Sequence, residues 1–313
     1  MPPRRNHGTF SLTVRPPSHV PIRAVLLIVA ALLCFTLLDA IAKALTERYP
    51  VPLLVWARWA VQAVALLLWL VPTMGTRLVR TRRLPLQVVR GALLLGASVT
   101  FFNALRFLPL AEVTALVYLS PMLVVLLSAA FLGERLTRLR VAMVGTGALG
   151  MLLIVRPGTE IFQGAALLAL GSAGFHAVFQ ILTRKLAGED ARVTLIYPAI
   201  VGTALMSLFA PWSAIDQPVP WVDVLLMVVA GLIGTFGHFL FILAFQRAGA
   251  AALTPFTYVQ LVWATLIGWA FFGRLPDGWA LAGMVVIAAS GLAVVMRERQ
   301  QARAAALGPA PID

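Results

Sequence analysis

Ten apolar stretches, each close to twenty residues long, constrain this chain more than any other feature: 23–45, 53–72, 88–108, 113–132, 139–155, 163–183, 193–211, 222–245, 251–272 and 277–296. A bilayer core about 30 Å thick needs about 20 helical residues to cross it, at about 1.5 Å per residue. The runs are apolar on all sides and do not alternate, which excludes a β-barrel. The chain is 60% apolar and 12% charged, against roughly 45–50% and 25% in soluble proteins. Water-soluble folds and intrinsic disorder are excluded with it. Cys34 is the only cysteine, so no intrachain disulfide exists. The first run is too long for a signal-peptide core and lacks an A-x-A-like end, so it reads as a retained helix. The expected fold is an all-α polytopic membrane protein with ten transmembrane helices.

The net charge of +13 suggests nucleic acid at first sight, but the basic residues are scattered between apolar runs. Their placement predicts membrane orientation instead, and no nucleic-acid partner. With the N-terminus inside, nineteen Lys and Arg fall on the cytoplasmic side, among them Arg77, Arg80, Arg82, Arg83, Arg90, Arg184 and Lys185. Only Arg48, Arg106, Arg156 and Arg274 fall outside. Both termini are therefore expected in the cytoplasm, as tails over 1–22 and 297–313.

The two halves resemble each other. Asp39-x3-Lys43-x-Leu45-Thr46 falls on His176-x3-Gln180-x-Leu182-Thr183 with a shift of 137, and Thr114-x3-Tyr118 on Thr254-x3-Tyr258 with a shift of 140. Phe131-Leu132-Gly133 falls on Phe271-Phe272-Gly273, also at 140, and Gly150 on Gly291 at 141. Common order and nearly constant offset predict a five-plus-five duplication over 23–155 and 163–296. Five is odd, so the repeats enter the membrane from opposite sides, an inverted arrangement common among secondary transporters.

Polar residues within the spans are candidates for binding or gating, because a central charge costs about 2.5–3.5 kcal/mol. Asp39 and Lys43 lie four apart on one helical face and can pair directly, with Arg58 at similar depth. Asn103 and Arg106 share a face of the third span. Arg106 either snorkels or pairs with Glu112, and Asn103 lies deeper. In the second half the candidates are His176 and Gln180 on the sixth span, His238 on the eighth and Gln260 on the ninth. Histidine suits ligand recognition or proton coupling. Its alternative is packing against a neighbouring backbone, most of all at His238, beside Gly231-x2-Gly234-x2-Gly237. Tyr118, Tyr258 and Trp263 can wall a pocket for a planar or cationic solute, whereas Trp56, Trp59, Trp212, Trp221 and Trp279 read as an interfacial belt. Pro121 and Pro198 remove backbone donors within spans and predict hinges.

Two patterns mislead. Gly145-x-Gly147-x2-Gly150 spells a dinucleotide fingerprint but lies in an apolar helix, where it is a packing face. The histidines have no metal-ligand spacing, and no P-loop is present, so neither metal, cofactor nor nucleotide chemistry is expected.

The chain resembles a drug/metabolite transporter of the EamA type. The resemblance rests on Leu38-Asp39-Ala40-x2-Lys43, on Leu119-Ser120-Pro121 with Gly133-Glu134-Arg135-Leu136, and on Tyr258-Val259-Gln260 leading to Phe272-Gly273-Arg274-Leu275-Pro276-Asp277. Leu261 and Arg274 stand where that family commonly has proline and glutamate. The resemblance implies two EamA-like repeats and a non-enzymatic secondary transporter of a small metabolite or drug-like solute. Alternating access would be by uniport, exchange or proton coupling, in the inner membrane of a bacterium. The alternatives are a membrane-embedded enzyme, for which no catalytic set is visible, and a scaffold or channel subunit.

Overall fold

A computed structural model describes residues 21–132, 137–156, 160–186, 188–209, 218–248 and 253–307. Arg4, Arg5, Arg15, residues 133–136 and Trp212 lie outside them. The helices are α1 (Ile22–Thr46), α2 (Val51–Met74), α3 (Leu84–Leu105), α4 (Leu110–Val117), α5 (Ser120–Leu132), α6 (Arg138–Val155), α7 (Glu160–Lys185), α8 (Ala191–Phe209), α9 (Trp221–Arg247), α10 (Val259–Phe272) and α11 (Gly278–Leu307). Among the described residues, nine helical segments are long and apolar enough to cross a membrane, and Val141–Val155 is a shorter tenth. Backbone groups in lipid must be satisfied within the segment, which helices alone achieve here.

Proline and glycine punctuate the spans. Pro21, Pro50, Pro109 and Pro220 each precede a helix, and further prolines occupy the first turns of α2 and α3, where a missing N–H is no loss. Gly273, at φ 64°, ends α10 in the left-handed conformation that other residues rarely adopt. The fourth span is not one helix: α4 stops at Val117 and α5 resumes at Ser120. The ninth is broken at the repeat-equivalent place, with a 3₁₀ turn over Thr254–Tyr258 before α10. Pro121 opens α5 beyond the break, and Pro198 lies inside α8.

The packing carries the repeat in three dimensions. Exchanging each span with the one five later turns the α1–α9 contact into α7–α3 and α2–α9 into α8–α3. It maps α2–α8 and α6–α11 onto themselves, and all of these are extensive interfaces. A methyl added at Gly91 would lie 2.9 Å from Cβ of Val201, and one at Gly231 would lie 2.6 Å from Cβ of Val61. Both members of the second pair differ from their counterparts by 140 in number. Two close helix approaches, built of the same residue types, are thus related by the duplication. The fold is two inverted five-helix repeats, as the offsets predict. Gly234 and Gly237 continue the α9 face against Leu38, Phe35 and Cys34 of α1. Gly147 and Gly150 admit Met122 and the backbone of Gly283, a packing use.

One face of the bundle carries the start of α1 and the end of α11; it is called here the termini face, and its opposite the far face. Trp221 and Trp279 are 75% and 62% exposed, as belt residues should be. Trp59 departs from that expectation: it is 1% exposed, because Gly202 opens room for its ring, 3.0 Å from where a Cβ would stand.

Candidate functional site

Asp39 on α1, Arg58 on α2, Tyr118 at the break of the fourth span, His238 on α9, and Tyr258 and Gln260 at the break of the ninth surround the middle of the bundle. Arg58 acts electrostatically on both Asp39 and His238. Its Nη1 donates to Ser98 Oγ on α3 at 3.4 Å, and its guanidinium lies 5.1 Å from the Trp59 ring and 5.6 Å from that of Phe102. The His238 ring sits 4.8 Å from Phe35 of α1. Both repeats therefore contribute to one centre.

The two breaks meet there. The Tyr118 and Tyr258 rings are 5.1 Å apart. Tyr118 Oη donates to the Thr257 carbonyl at 2.6 Å and lies 3.0 Å from Gln260 Oε1. The Tyr258 hydroxyl is buried without a partner among the described residues, pressed against Gly291, where any Cβ would collide with it. Equivalent residues thus stand in unlike states.

Beside this centre His176 and Gln180 form a smaller group on α7. Gln180 Nε2 lies 3.4 Å from Ser120 Oγ of α5 and 3.5 Å from His176 Nδ1, and the His176 ring stacks on Phe179. Through Ser120 the group adjoins the fourth-span break.

Other candidates sit apart. The direct Asp39–Lys43 pair that the four-residue spacing allows is not formed. Lys43 Nζ instead donates to the carbonyls of Leu105 and Leu108, at 2.5 and 2.9 Å. It caps the end of α3, where carbonyls lack helical partners and a cation is favoured. Nor do Arg106 and Glu112 pair: Arg106 is exposed, while Glu112 is buried with Oε2 unpartnered among the described residues. Asn103 turns back to the Val99 carbonyl of its own helix at 2.8 Å. Trp263 donates to the Val29 carbonyl at 3.3 Å, joining α10 to α1 away from the centre. No metal-ligating group of three or more residues occurs among the described residues.

Residues that sequence reasoning missed close the two faces. At the termini face Arg90 is 5% exposed. It donates from Nε to Thr183 Oγ1 at 2.8 Å, and from Nη1 to the Thr194 carbonyl at 2.9 Å and to Gln87 Oε1 at 3.1 Å. Its guanidinium lies 4.6 Å from the Phe179 ring. Arg83 Nη1 reaches the Lys185 carbonyl at 2.5 Å. At the far face buried Asp223 accepts from Arg48 Nη1 at 2.9 Å and from Tyr49 Oη at 2.6 Å. That bond favours the neutral phenol and pushes the Tyr49 pKa above its ordinary value. Arg156 pairs with Asp277, whose pKa is held low by the Ala280 N–H and then by Arg156. Asp223 is the repeat equivalent of Arg83, and Arg48 that of Lys185.

A polar centre shared by inverted repeats and closed at both faces defines a membrane transporter for small molecules. The chain matches the EamA-like transporter family over residues 22–156 and again over 163–296, and it belongs to that family. It is 28% identical over 271 residues to a pseudopaline exporter of Pseudomonas aeruginosa, covering 86% of this chain and 95% of that one. A riboflavin transporter of Rhizobium johnstonii is 30% identical over 299 residues, covering 92% and 95%. An S-adenosylmethionine uptake transporter of Rickettsia bellii is 24% identical over 226 residues, covering 72% and 77%. A solved crystal structure superposes with a TM-score of 0.61 at 23% identity, over 89% of this chain and 98% of that one, which speaks for the fold.

Proposed function

We propose that the protein moves its small organic solute by alternating access, as a secondary transporter of the bacterial inner membrane with both termini in the cytoplasm. Its working units are the two repeats, 23–155 and 163–296, and it performs no catalysis. One observation carries this reading: polar groups from both repeats converge between two closed faces, and one closing contact of each face, Arg83 on Lys185 and Arg48 on Asp223, occupies repeat-equivalent positions. Inverted repeats give such a protein two states of nearly equal construction, one open to each side. Asp39, Arg58, Tyr118, His238, Tyr258 and Gln260 bind the solute, with His176 and Gln180 beside them. Arg90 and Arg83 latch the cytoplasmic face, and Arg48, Tyr49 and Asp223 the outer one. In the opposite state the tyrosines exchange roles: Tyr258 bonds to the fourth-span break, and Tyr118 is released.

The driving force is a gradient, of the solute itself by uniport or exchange, or of protons through His176 or His238. Counterflow in proteoliposomes tests the reading, with riboflavin and S-adenosylmethionine as first probes and a metabolite library after them. Saturable, trans-stimulated flux of some solute is expected. Flux that stays linear with concentration for every solute indicates a channel or scaffold instead.

A further inference from the structure

At the far face one closing tie is an ion pair, Arg48 on Asp223 at 2.9 Å. At the termini face the repeat-equivalent residues are Lys185 and Arg83, two cations. They meet nonetheless. Arg83, at the N-cap of α3, donates from Nη1 to the carbonyl of Lys185, the last residue of α7. That bond satisfies one of the free carbonyls at a helix end and uses one of the five N–H donors of the guanidinium. The other donors of Arg83 and the whole Lys185 ammonium have no partner among the described residues.

Their neighbours add to the imbalance. Arg82 and Arg184 are exposed, and neither side chain has a partner among the described residues. Of the carboxylates described beside them, Asp190 is paired with Arg192, and Glu189 accepts only the Arg82 backbone N–H, at 3.3 Å. Four cations thus flank a contact between the two repeats, against one free carboxylate. Membrane orientation asks for cations somewhere on this face. It does not ask for two of them at the closing contact, in the place where the opposite face has a salt bridge. The missing member is an anion.

The position of the contact says which anion. Arg83 and Lys185 stand at helix ends, at the edge of the apolar spans. Next to Arg83, the side chains of Leu84 and Val88, four apart on one side of α3, are exposed. An anion that carries acyl chains fits both features, with its phosphodiester among the cations and its chains along that apolar side. Anionic headgroups attract such clusters at a membrane surface, whereas a phosphatidylcholine brings a cation of its own.

We infer that an anionic phospholipid completes the closing contact of the termini face, its phosphate held between Arg83 and Lys185 with Arg82 and Arg184 beside it. Bound there, it clamps α3 of the first repeat to α7 of the second, independently of any solute.

The test is thermal unfolding of the purified full-length protein in a non-ionic detergent, titrated with phosphatidylglycerol, phosphatidylcholine or inorganic phosphate. Phosphatidylglycerol should raise Tm saturably, and the other two should give no saturable shift over the same range. Arg83→Gln and Lys185→Gln should each need roughly fivefold more phosphatidylglycerol for half the shift, and the double variant roughly thirtyfold. Arg247→Gln, which removes an exposed cation elsewhere on the same face, should titrate like the wild type. The Lys185 side chain makes no bond among the described residues, so Lys185→Gln decides the matter even if the double variant fails to fold. Equal shifts from the two lipids, or equal losses at Arg247 and at the contact residues, overturn the inference. A shift from inorganic phosphate that matches the lipid's overturns it too, because the anion then comes from solution.

Discussion

At the termini face, the space between α3, α7 and α8 is filled by the Arg90 side chain, bonded to Gln87, Thr183 and Thr194 and laid on Phe179. At the far face the equivalent residues are Ala230, Met227, Thr46, Leu54 and Ala42, and between four of them (Ala230, Met227, Leu54 and Ala42) and the Arg58 side chain a void of about 10 Å³ remains, room for about one water. The backbones of the two ends are related by the duplication, whereas the side chains are not. One end is locked by a polar plug. The other is held by ties at its rim, Arg48 and Tyr49 on buried Asp223 and, at the surface, Arg156 on Asp277. Duplication supplies two interchangeable backbone arrangements, and divergence of a few side chains then decides how firmly each end shuts.

The largest effect that can break this comparison is at Arg90. Arg90→Ala leaves three buried or half-buried neutral acceptors unpaired, on Gln87, Thr183 and Thr194, together with a cavity, and a loss of about 3–5 kcal/mol is expected, seen as a marked fall in Tm. Ala230→Val, which fills the matching void, should change stability by less than about 1.5 kcal/mol. Equal losses at both positions would mean that the two ends are closed alike.

Gly91→Ala and Gly231→Ala sharpen the backbone half of the comparison. Each adds a methyl against the Cβ of a valine fixed to the neighbouring helix. Both should destabilise by about 1–3 kcal/mol and by similar amounts. A neutral result at one of them would show that the repeats have diverged in their helix approaches as well.

A smaller contrast separates the tyrosines. Tyr118→Phe removes the bonds to Thr257 and Gln260 and should cost about 0.5–1.5 kcal/mol. Tyr258→Phe removes an unpartnered buried hydroxyl and should be neutral or stabilising when Tm is read under the same conditions.

The smallest effect is at the rim ties of the far face. The Asp277 pKa is depressed in the folded protein, so its contribution is full above the unfolded carboxylate value and is lost as pH falls through the folded one. Tyr49 behaves oppositely. Its pKa is raised, so its contribution is full below the unfolded phenol value and is lost as pH rises through the folded one. In a Tm–pH profile, Asp277→Asn should lower Tm slightly at neutral pH and flatten the acid limb, and Tyr49→Phe should lower it slightly at neutral pH and flatten the alkaline limb.

The ten spans and the inverted duplication were legible because both rest on quantities the chain displays directly: apolar run length against bilayer thickness, and offsets of 137 to 141 between matching residues. Tyr118 and Tyr258 were paired correctly by that offset, but the breaks beside them were not visible, since apolar character continues through them. Contacts between distant segments were illegible. Lys43 looked like a partner for Asp39 from its spacing, yet its bonds go to carbonyls some sixty residues on. Arg90 was counted as a cytoplasmic surface charge, because orientation rules weigh arginine by its side of the membrane and not by burial. Trp59 lay near a span end and read as interfacial, while Gly202, on a helix of the other repeat, made its ring a core residue.

The central claim is that the two faces open in turn. Spin labels at Glu47 and Val222 report the far face, and labels at Arg82 and Arg184 the termini face, all four residues being exposed. Pulsed electron–electron resonance in liposomes should give a short and a long distance for each pair. Arg90→Ala should shift the termini-face pair toward long distances and the far-face pair toward short ones. Single distances at both faces that Arg90→Ala leaves unchanged, or lengthening of both together, would contradict alternating access in this protein.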